Sequence, residues 1–281
     1  MRIQTIITDY GKKKCMKNEH GISLYIETKK RKILFDTGSN RKTLQNITKL
    51  RLPLHDIDWV VISHGHYDHI GGLPYLLPYI PHSVVYMSQQ IEGSYYMRML
   101  GISFCIGRTE AIVEKLKNRI QWVGTYKQLD SHWYVLASKS KVNNRFPQFI
   151  KCTKNACRLD VFDHEIHLIY EDNENLCIFT GCCHLGIKKL MQLVQKSCID
   201  FNKKIYIVGG LHLITFPKLD VGFVDREAIE YLCRSLRNND IIHLYICHCT
   251  GLKAYKILHN EFPDKVTYMG TGMNIYLPTL G

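Results

Sequence analysis

At 281 residues with 46% apolar content, the chain is long enough to bury a sizeable core as one large domain or two small ones. Its formal net charge of +12 attracts anions in general. The lysines fall in short blocks such as Lys12-Lys13-Lys14 and Lys29-Lys30-Arg31-Lys32, which is the pattern of a solvated surface and disfavours nucleic acid as a partner.

Taken in chain order, short apolar runs predict strands over residues 3–8, 22–28, 32–36 and 59–63. Between the last two, Ser39-Asn40 is placed to cap a helix carrying Leu44, Ile47 and Leu50, and Pro53 marks its end. Further on, 84–87 reads as a strand, 88–100 and 108–118 as helices, and 133–137 as a strand. The stretch 138–159 is basic and polar, with Asn143-Asn144 and Pro147, and is expected to be a mobile loop beside the site. Beyond it, strands at 165–170, 176–180, 205–208, 241–247 and 266–269 alternate with helices at 185–198, 225–237 and 252–261. No composition break marks a linker and no repeat is evident, so a single domain over 1–281 is expected. No run approaches transmembrane length and Met1-Arg2-Ile3 leads into a strand, so no membrane partner is expected and the cytoplasm is the expected location.

The apolar run Trp59-Val60-Val61-Ile62 leads into His64-Gly65-His66-Tyr67-Asp68-His69, three imidazoles and a carboxylate within six residues. His64 and His66 are two apart, so along an extended segment they share a face and grip one ion together. Asp68 and His69 follow and reach a second. Zinc favours imidazole and accepts carboxylate, with manganese or iron as alternatives. A histidine-rich exposed loop is the competing reading, and the position at a strand end argues against it. Eleven cysteines are scattered without a small-scaffold disulfide pattern, so most are expected to be reduced thiols. The pair Cys152 and Cys157 suggests half of a second metal site, but no matching pair follows it.

The motif resembles the signature of the metallo-β-lactamase superfamily. His20-Gly21-Ile22-Ser23, Ile33-Leu34-Phe35-Asp36-Thr37-Gly38, Thr180-Gly181-Cys182-Cys183-His184, Val208-Gly209-Gly210-Leu211-His212 and His248-Cys249-Thr250-Gly251 extend the likeness over the whole chain. In that order they are similar to one branch, the 7,8-dihydropterin-6-methyl-4-(β-D-ribofuranosyl)-aminobenzene-5′-phosphate synthase-like proteins. The resemblance implies an α/β fold, a four-layer αββα sandwich with the metal site along one edge. It also implies that His184 completes the ion held by His64 and His66, and that His248 joins Asp68 and His69 at the second.

His212 reads as a substrate-contacting or supporting group rather than a ligand. Asp36, at a strand end, is expected to hold a ligand imidazole or the loop by hydrogen bonds, and His20 to line the pocket mouth. Many relatives have a bridging aspartate directly after the Thr-Gly of this strand. Cys182 occupies that place, so a thiolate ligand and a plain buried thiol both stay open, as do one ion and two.

A divalent ion lowers the pKa of bound water and polarises a substrate oxygen, with Asp68 placed to orient the water or shuttle its proton. That scheme suits hydrolysis of phosphoesters, lactams or thioesters. The branch implies instead a transfer in which an arylamine attacks a pterin methylene carbon and diphosphate leaves. The expected substrate is a small phosphorylated anion. The alternatives are a nuclease or phosphodiesterase on the same fold and a non-catalytic metal-binding protein, and a homo-oligomer stays open. A flavin-dependent oxygen reductase is disfavoured, because no flavin-binding domain follows.

Overall fold

The computed structural model describes residues 1–11, 13–116, 118–138, 145–197, 200–214 and 223–278. Two seven-stranded sheets form its centre. The first has the order β18 (Asn274–Tyr276), β1 (Arg2–Ile7), β2 (Ser23–Glu27), β3 (Lys32–Phe35), β4 (Trp59–Val61), β5 (Val84–Ser88) and β8 (Ile120–Val123). The second has the order β17 (Val266–Tyr268), β16 (His243–Ile246), β15 (Lys204–Gly209), β14 (Asn175–Thr180), β13 (Ile166–Glu171), β10 (Trp133–Ala137) and β9 (Tyr126–Gln128).

Because successive strand residues point to opposite faces, each central strand contributes to two cores. Ile33, Phe35, Trp59 and Val61 meet Trp133, Leu168, Cys177 and Phe179 between the sheets. Leu34, Val60 and Val85 face outward onto Ile47 of the helix Lys42–Leu50 and onto Leu73 and Leu76. Leu176, Ile178, Ile205 and Ile207 face outward onto the helices Ile187–Lys196, Arg226–Arg237 and Leu252–Glu261. The result is the four-layer αββα sandwich that the resemblance implies. No helix among the described residues is long and apolar enough to cross a membrane.

Each sheet is parallel in one portion, β3-β4-β5-β8 in the first and β14-β15-β16-β17 in the second. Parallel neighbours are joined by crossovers, so within each portion the strands finish at one edge. Thr180 pairs with Gly209 and Gly209 with Ile246. Cys182 and His248 therefore both stand two residues beyond a single aligned row. Phe35 likewise pairs with Val61, placing Asp36 and His64 just past the matching edge of the other sheet.

A third, four-stranded sheet has the order β12 (Cys157–Leu159), β11 (Phe149–Cys152), β6 (Ser94–Met99) and β7 (Ile102–Arg108). It overturns two sequence expectations. Residues 88–100, expected as a helix, hold β6, whose Tyr95 is fully buried and whose partner strands lie on both sides. Cross-strand pairing of its aromatic residues outweighs the helix-like spacing. The expected mobile loop 138–159 holds the β11–β12 hairpin, in which the paired residues Cys152 and Cys157 form a disulfide. Residues 139–144 of that stretch lie outside the described residues. The disulfide also removes Cys152 and Cys157 as metal ligands. This sheet docks on the motif loop through two glycines. A Cβ on Gly107 would lie 2.2 Å from the Gly65 carbonyl oxygen, and one on Gly65 would lie 2.4 Å from the Tyr95 ring.

Candidate metal centre

From the end of β4, Ile62-Ser63 carries the chain to His64 and His66, both buried. The short helix Tyr67–Ile70 then turns Asp68 and His69 back into the same space. Loops leaving β14, β15 and β16 bring Cys182 and His184, His212, and His248. Asp36, Cys183, His212 and His248 hold φ of 55°, 57°, 43° and 51°. This left-handed backbone is costly for residues with a Cβ and clusters at functional sites. Here it makes the strand ends turn sharply inward.

Two groups of side chains result. In the first, ring nitrogens of His64, His66 and His184 lie within 4.8 Å of one another, with His64 Nε2 3.1 Å from His66 Nδ1. In the second, Asp68 Oδ2 lies 3.5 Å from His69 Nε2, 3.3 Å from His248 Nε2 and 3.3 Å from His20 Nε2. Cys182 stands between them. Its sulfur is 3.2 Å from His69 Nε2 and clusters within 4.8 Å with His64 and His69, with His184 and His212, and with His248 and Cys249.

Most of these imidazoles are oriented by a partner at the other ring nitrogen. Asp36, fully buried, accepts from Ser63 N at 2.7 Å and Ser63 Oγ at 2.6 Å, and holds His69 Nδ1 at 2.7 Å. Ser63 Oγ in turn holds His64 Nδ1 at 2.9 Å. Asp9 holds His248 Nδ1 and His20 Nδ1, each at 2.7 Å. The tautomers that this network assigns leave His64, His69 and His248 with Nε2 turned inward, the carboxylate–imidazole arrangement that supports metal ligands.

Asp9 is a residue that sequence reasoning missed, although its place at the end of β1 is the same kind of signal as Asp36. Two further missed residues steady the motif loop: Gly65 N donates to His164 Nδ1 at 3.1 Å, and His164 Nε2 donates to Asp160 at 3.1 Å. Glu165 accepts from the backbone N–H of His184 at 2.8 Å and of Leu185 at 3.4 Å. Burial raises its acid to about 7 against those two donors.

Burial also sets the first group, lowering His66 to about 3 and His64 and His184 well below the ordinary imidazole value. In the second group burial acts in the same sense, but Asp68 and Asp36 outweigh it and hold His69 up at about 9. Burial opposes ionisation of Asp68, and His69, His248 and His20 overcome it, keeping the carboxyl well below its usual range. Burial and the neighbouring Cys249 push the Cys182 thiol up.

Buried neutral imidazoles, a carboxylate and a thiol form a donor set suited to zinc or a neighbouring transition ion. His66 Nε2 is buried with no hydrogen-bond partner among the described residues, which an unpaired polar atom tolerates poorly unless a ligand meets it. The residues fit a metal. Of those expected from sequence, His64, His66, Asp68, His69, His184, His248 and Cys182 come together, with Asp36 behind His69. His212 packs at 4.7 Å, ring to ring, against His184, and His20 stands partly exposed at the rim beside Asp68 and Asp9.

The metallo-beta-lactamase superfamily profile matches residues 20–93, the segment running from His20 through the histidine motif. A solved metal-dependent hydrolase of the beta-lactamase superfamily superposes with a TM-score of 0.77 at 25% identity, over 99% of each chain. This chain has the metallo-β-lactamase fold, and its residues 20–93 carry the superfamily's signature. It is 27% identical to the 7,8-dihydropterin-6-methyl-4-(beta-D-ribofuranosyl)-aminobenzene-5'-phosphate synthase of Methanocaldococcus jannaschii, over 97% of this chain and 95% of that one. It also shares the fold of the short form of human tRNase Z, with a TM-score of 0.56 at 14% identity, over 99% of this chain and 100% of that one.

Proposed function

We propose that this chain is a metal-dependent enzyme that joins an arylamine to a pterin-like carbon, with a small phosphorylated substrate and with hydrolysis as the second reading. The observation that carries the proposal is the size and lining of the cavity over the centre. It measures about 380 Å³, within the range of small-molecule sites. Its lining combines polar side chains, among them His66, Asp68, His184, His212 and His248, with the apolar Met97, Met99, Phe104, Ile106 and Phe149. A heteroaromatic substrate with polar edges suits such a mixed lining, and the full-length similarity to the pterin-type synthase supports the same class. The lining imidazoles, and the ion they would hold, are groups that can meet an anion there.

His64, His66 and His184 would hold one ion, and Asp68, His69 and His248 a second, with Cys182 between. When bound, a divalent ion supplies Lewis acidity to an anionic oxygen of the substrate or leaving group. The Asp68 carboxylate takes the proton released by the attacking amine, or by water in hydrolysis. His20, 3.3 Å away and partly exposed, passes that proton to solvent. His212 contacts the substrate beside His184, and the apolar part of the lining excludes bulk water from the reacting atoms.

The test is incubation of metal-loaded protein with a dihydropterin bearing a diphosphate leaving group, with and without an aminobenzene ribofuranoside phosphate. Diphosphate release that requires the amine, with the joined product seen by mass spectrometry, supports transfer. Release without amine, or cleavage of phosphoesters or thioesters, supports hydrolysis. Efficient cleavage of RNA or DNA would replace both with a nuclease, and stoichiometric metal without turnover would leave a metal-binding protein.

A further inference from the structure

Cys182 and Cys249 differ from the other buried cysteines of the chain. Cys177 and Cys247 pack in the apolar layer between the sheets, and Cys183 and Cys233 in the outer layer under the helices. Cys182 and Cys249 line the site cavity instead, each 3% exposed. They reach it from β14 and β16, which flank β15. The end of β15 makes room for them: a Cβ on Gly210 would come 2.7 Å from Cys249 Sγ. The Cys249 thiol donates to the Cys182 carbonyl at 3.7 Å, and ligand atoms of Cys182, His248 and Cys249 lie within 4.8 Å of one another. His212 adds a second, independent mark. It is 6% exposed, its Nδ1 has no hydrogen-bond partner among the described residues, and it clusters with Cys182 and His184.

We propose that Cys182 and Cys249 form a thiolate face of the metal centre, Cys182 as the ligand shared by its two halves and Cys249 as a second sulfur beside His248. This rests on the metal-centre reading above and adds a ligand, Cys249, that the histidine motif does not call for. Two thiolates with imidazole make a borderline-to-soft set, which favours zinc, cobalt or cadmium over magnesium, calcium or manganese. Each thiol surrenders its proton to solvent as its sulfur engages the ion, so two protons leave per ion bound by both.

Cobalt(II) titrated into metal-free protein separates this proposal from the reading beneath it. Visible ligand-field bands report any ordered coordination, and near-ultraviolet sulfur-to-cobalt charge transfer reports thiolate alone. The expected result is both signals in the unaltered protein. The charge-transfer band should fall by roughly a third in Cys249→Ser, by roughly two thirds in Cys182→Ser, whose sulfur serves both ions, and be lost in the double variant, while the exposed Cys15→Ser control matches the unaltered protein. Ligand-field bands without charge transfer would overturn the thiolate face and leave the histidine centre standing, and absence of both would remove the centre itself. Full charge transfer in Cys249→Ser would overturn the pairing. Should the variants fail to fold, X-ray absorption of the zinc-loaded unaltered protein decides. A sulfur shell at about 2.3 Å is expected, and nitrogen and oxygen alone at about 2.0–2.2 Å would overturn the proposal.

Discussion

The two halves of the centre use the same side chain in opposite electrical states. His66 stacks on Phe149 and His184 on Phe162, with centroids 5.7 Å and 4.1 Å apart, and in these apolar surroundings the imidazoles stay neutral. Across Cys182, His69 and His248 stand among Asp36, Asp68 and Asp9. Carboxylates there raise His69 to about 9 and His248 well above its ordinary value, against burial in both cases. One half is already neutral, and the other must lose protons before it takes an ion. What a histidine does in this site is decided by its neighbours.

The strongest way to break that comparison is to remove one ligand from each half. His184→Ala and His248→Ala are each expected to lose the ion of their own half and keep much of the other, read by elemental analysis of purified protein. Loss of all metal from either variant would show that the halves act as one unit through Cys182. Asp68→Asn preserves shape and removes charge, so turnover is expected to fall by about 10²–10⁴-fold with the fold retained. Unchanged turnover on any accepted substrate would take Asp68 out of the chemistry.

Weaker effects sharpen the contrast. Asp36→Asn and Asp9→Asn withdraw the carboxylates behind His69 and His248, and each is expected to lower metal affinity at the charged half by about 10–100-fold. Calorimetry should find the neutral half unaffected in Asp9→Asn and weakened less than the charged half in Asp36→Asn, because Asp36 also reaches His64 through Ser63. Finally, an ion entering the charged half displaces the His69 proton. Below pH 9 the protonated ring competes with the ion, so affinity there should rise as pH increases from 7 to 9. The gain should be roughly tenfold per pH unit, about 1.4 kcal/mol, for each proton displaced, and His248 and the two thiols add their protons to that of His69. The neutral half, with His66 near 3 and only the shared Cys182 thiol to deprotonate, should show a shallower slope over that window, and equal slopes at both would defeat the comparison.

The sandwich was readable because its central strands are buried on both faces. Trp59-Val60-Val61-Ile62 and Leu176-Cys177-Ile178-Phe179 are continuous apolar runs that end at glycine or histidine turns, and no other element suits them. The third sheet was not readable. Strand β7 is largely exposed and β6 only partly buried, so their spacing carries little period-two signal and their stability comes from pairing with each other and with β11. The short strands β8 and β9 escaped for a similar reason: at four and three residues they leave too little pattern to separate from a turn.

By itself the sequence determined which residue types end the central strands. From that followed the cluster of His64, His66, Asp68 and His69, with His184 and His248 as the partners that resemblance supplied. Tertiary structure alone decided the rest: that Asp9 stands behind His248 across 239 residues, that Cys249 lies beside Cys182, and that the sheet built from 94–108 and 149–159 supplies apolar lining to the cavity over the centre. The physical reason is that protonation and ligand character depend on atoms within a few ångströms. In this fold those atoms arrive on different strands, joined only where the parallel portions of two sheets finish at a common edge.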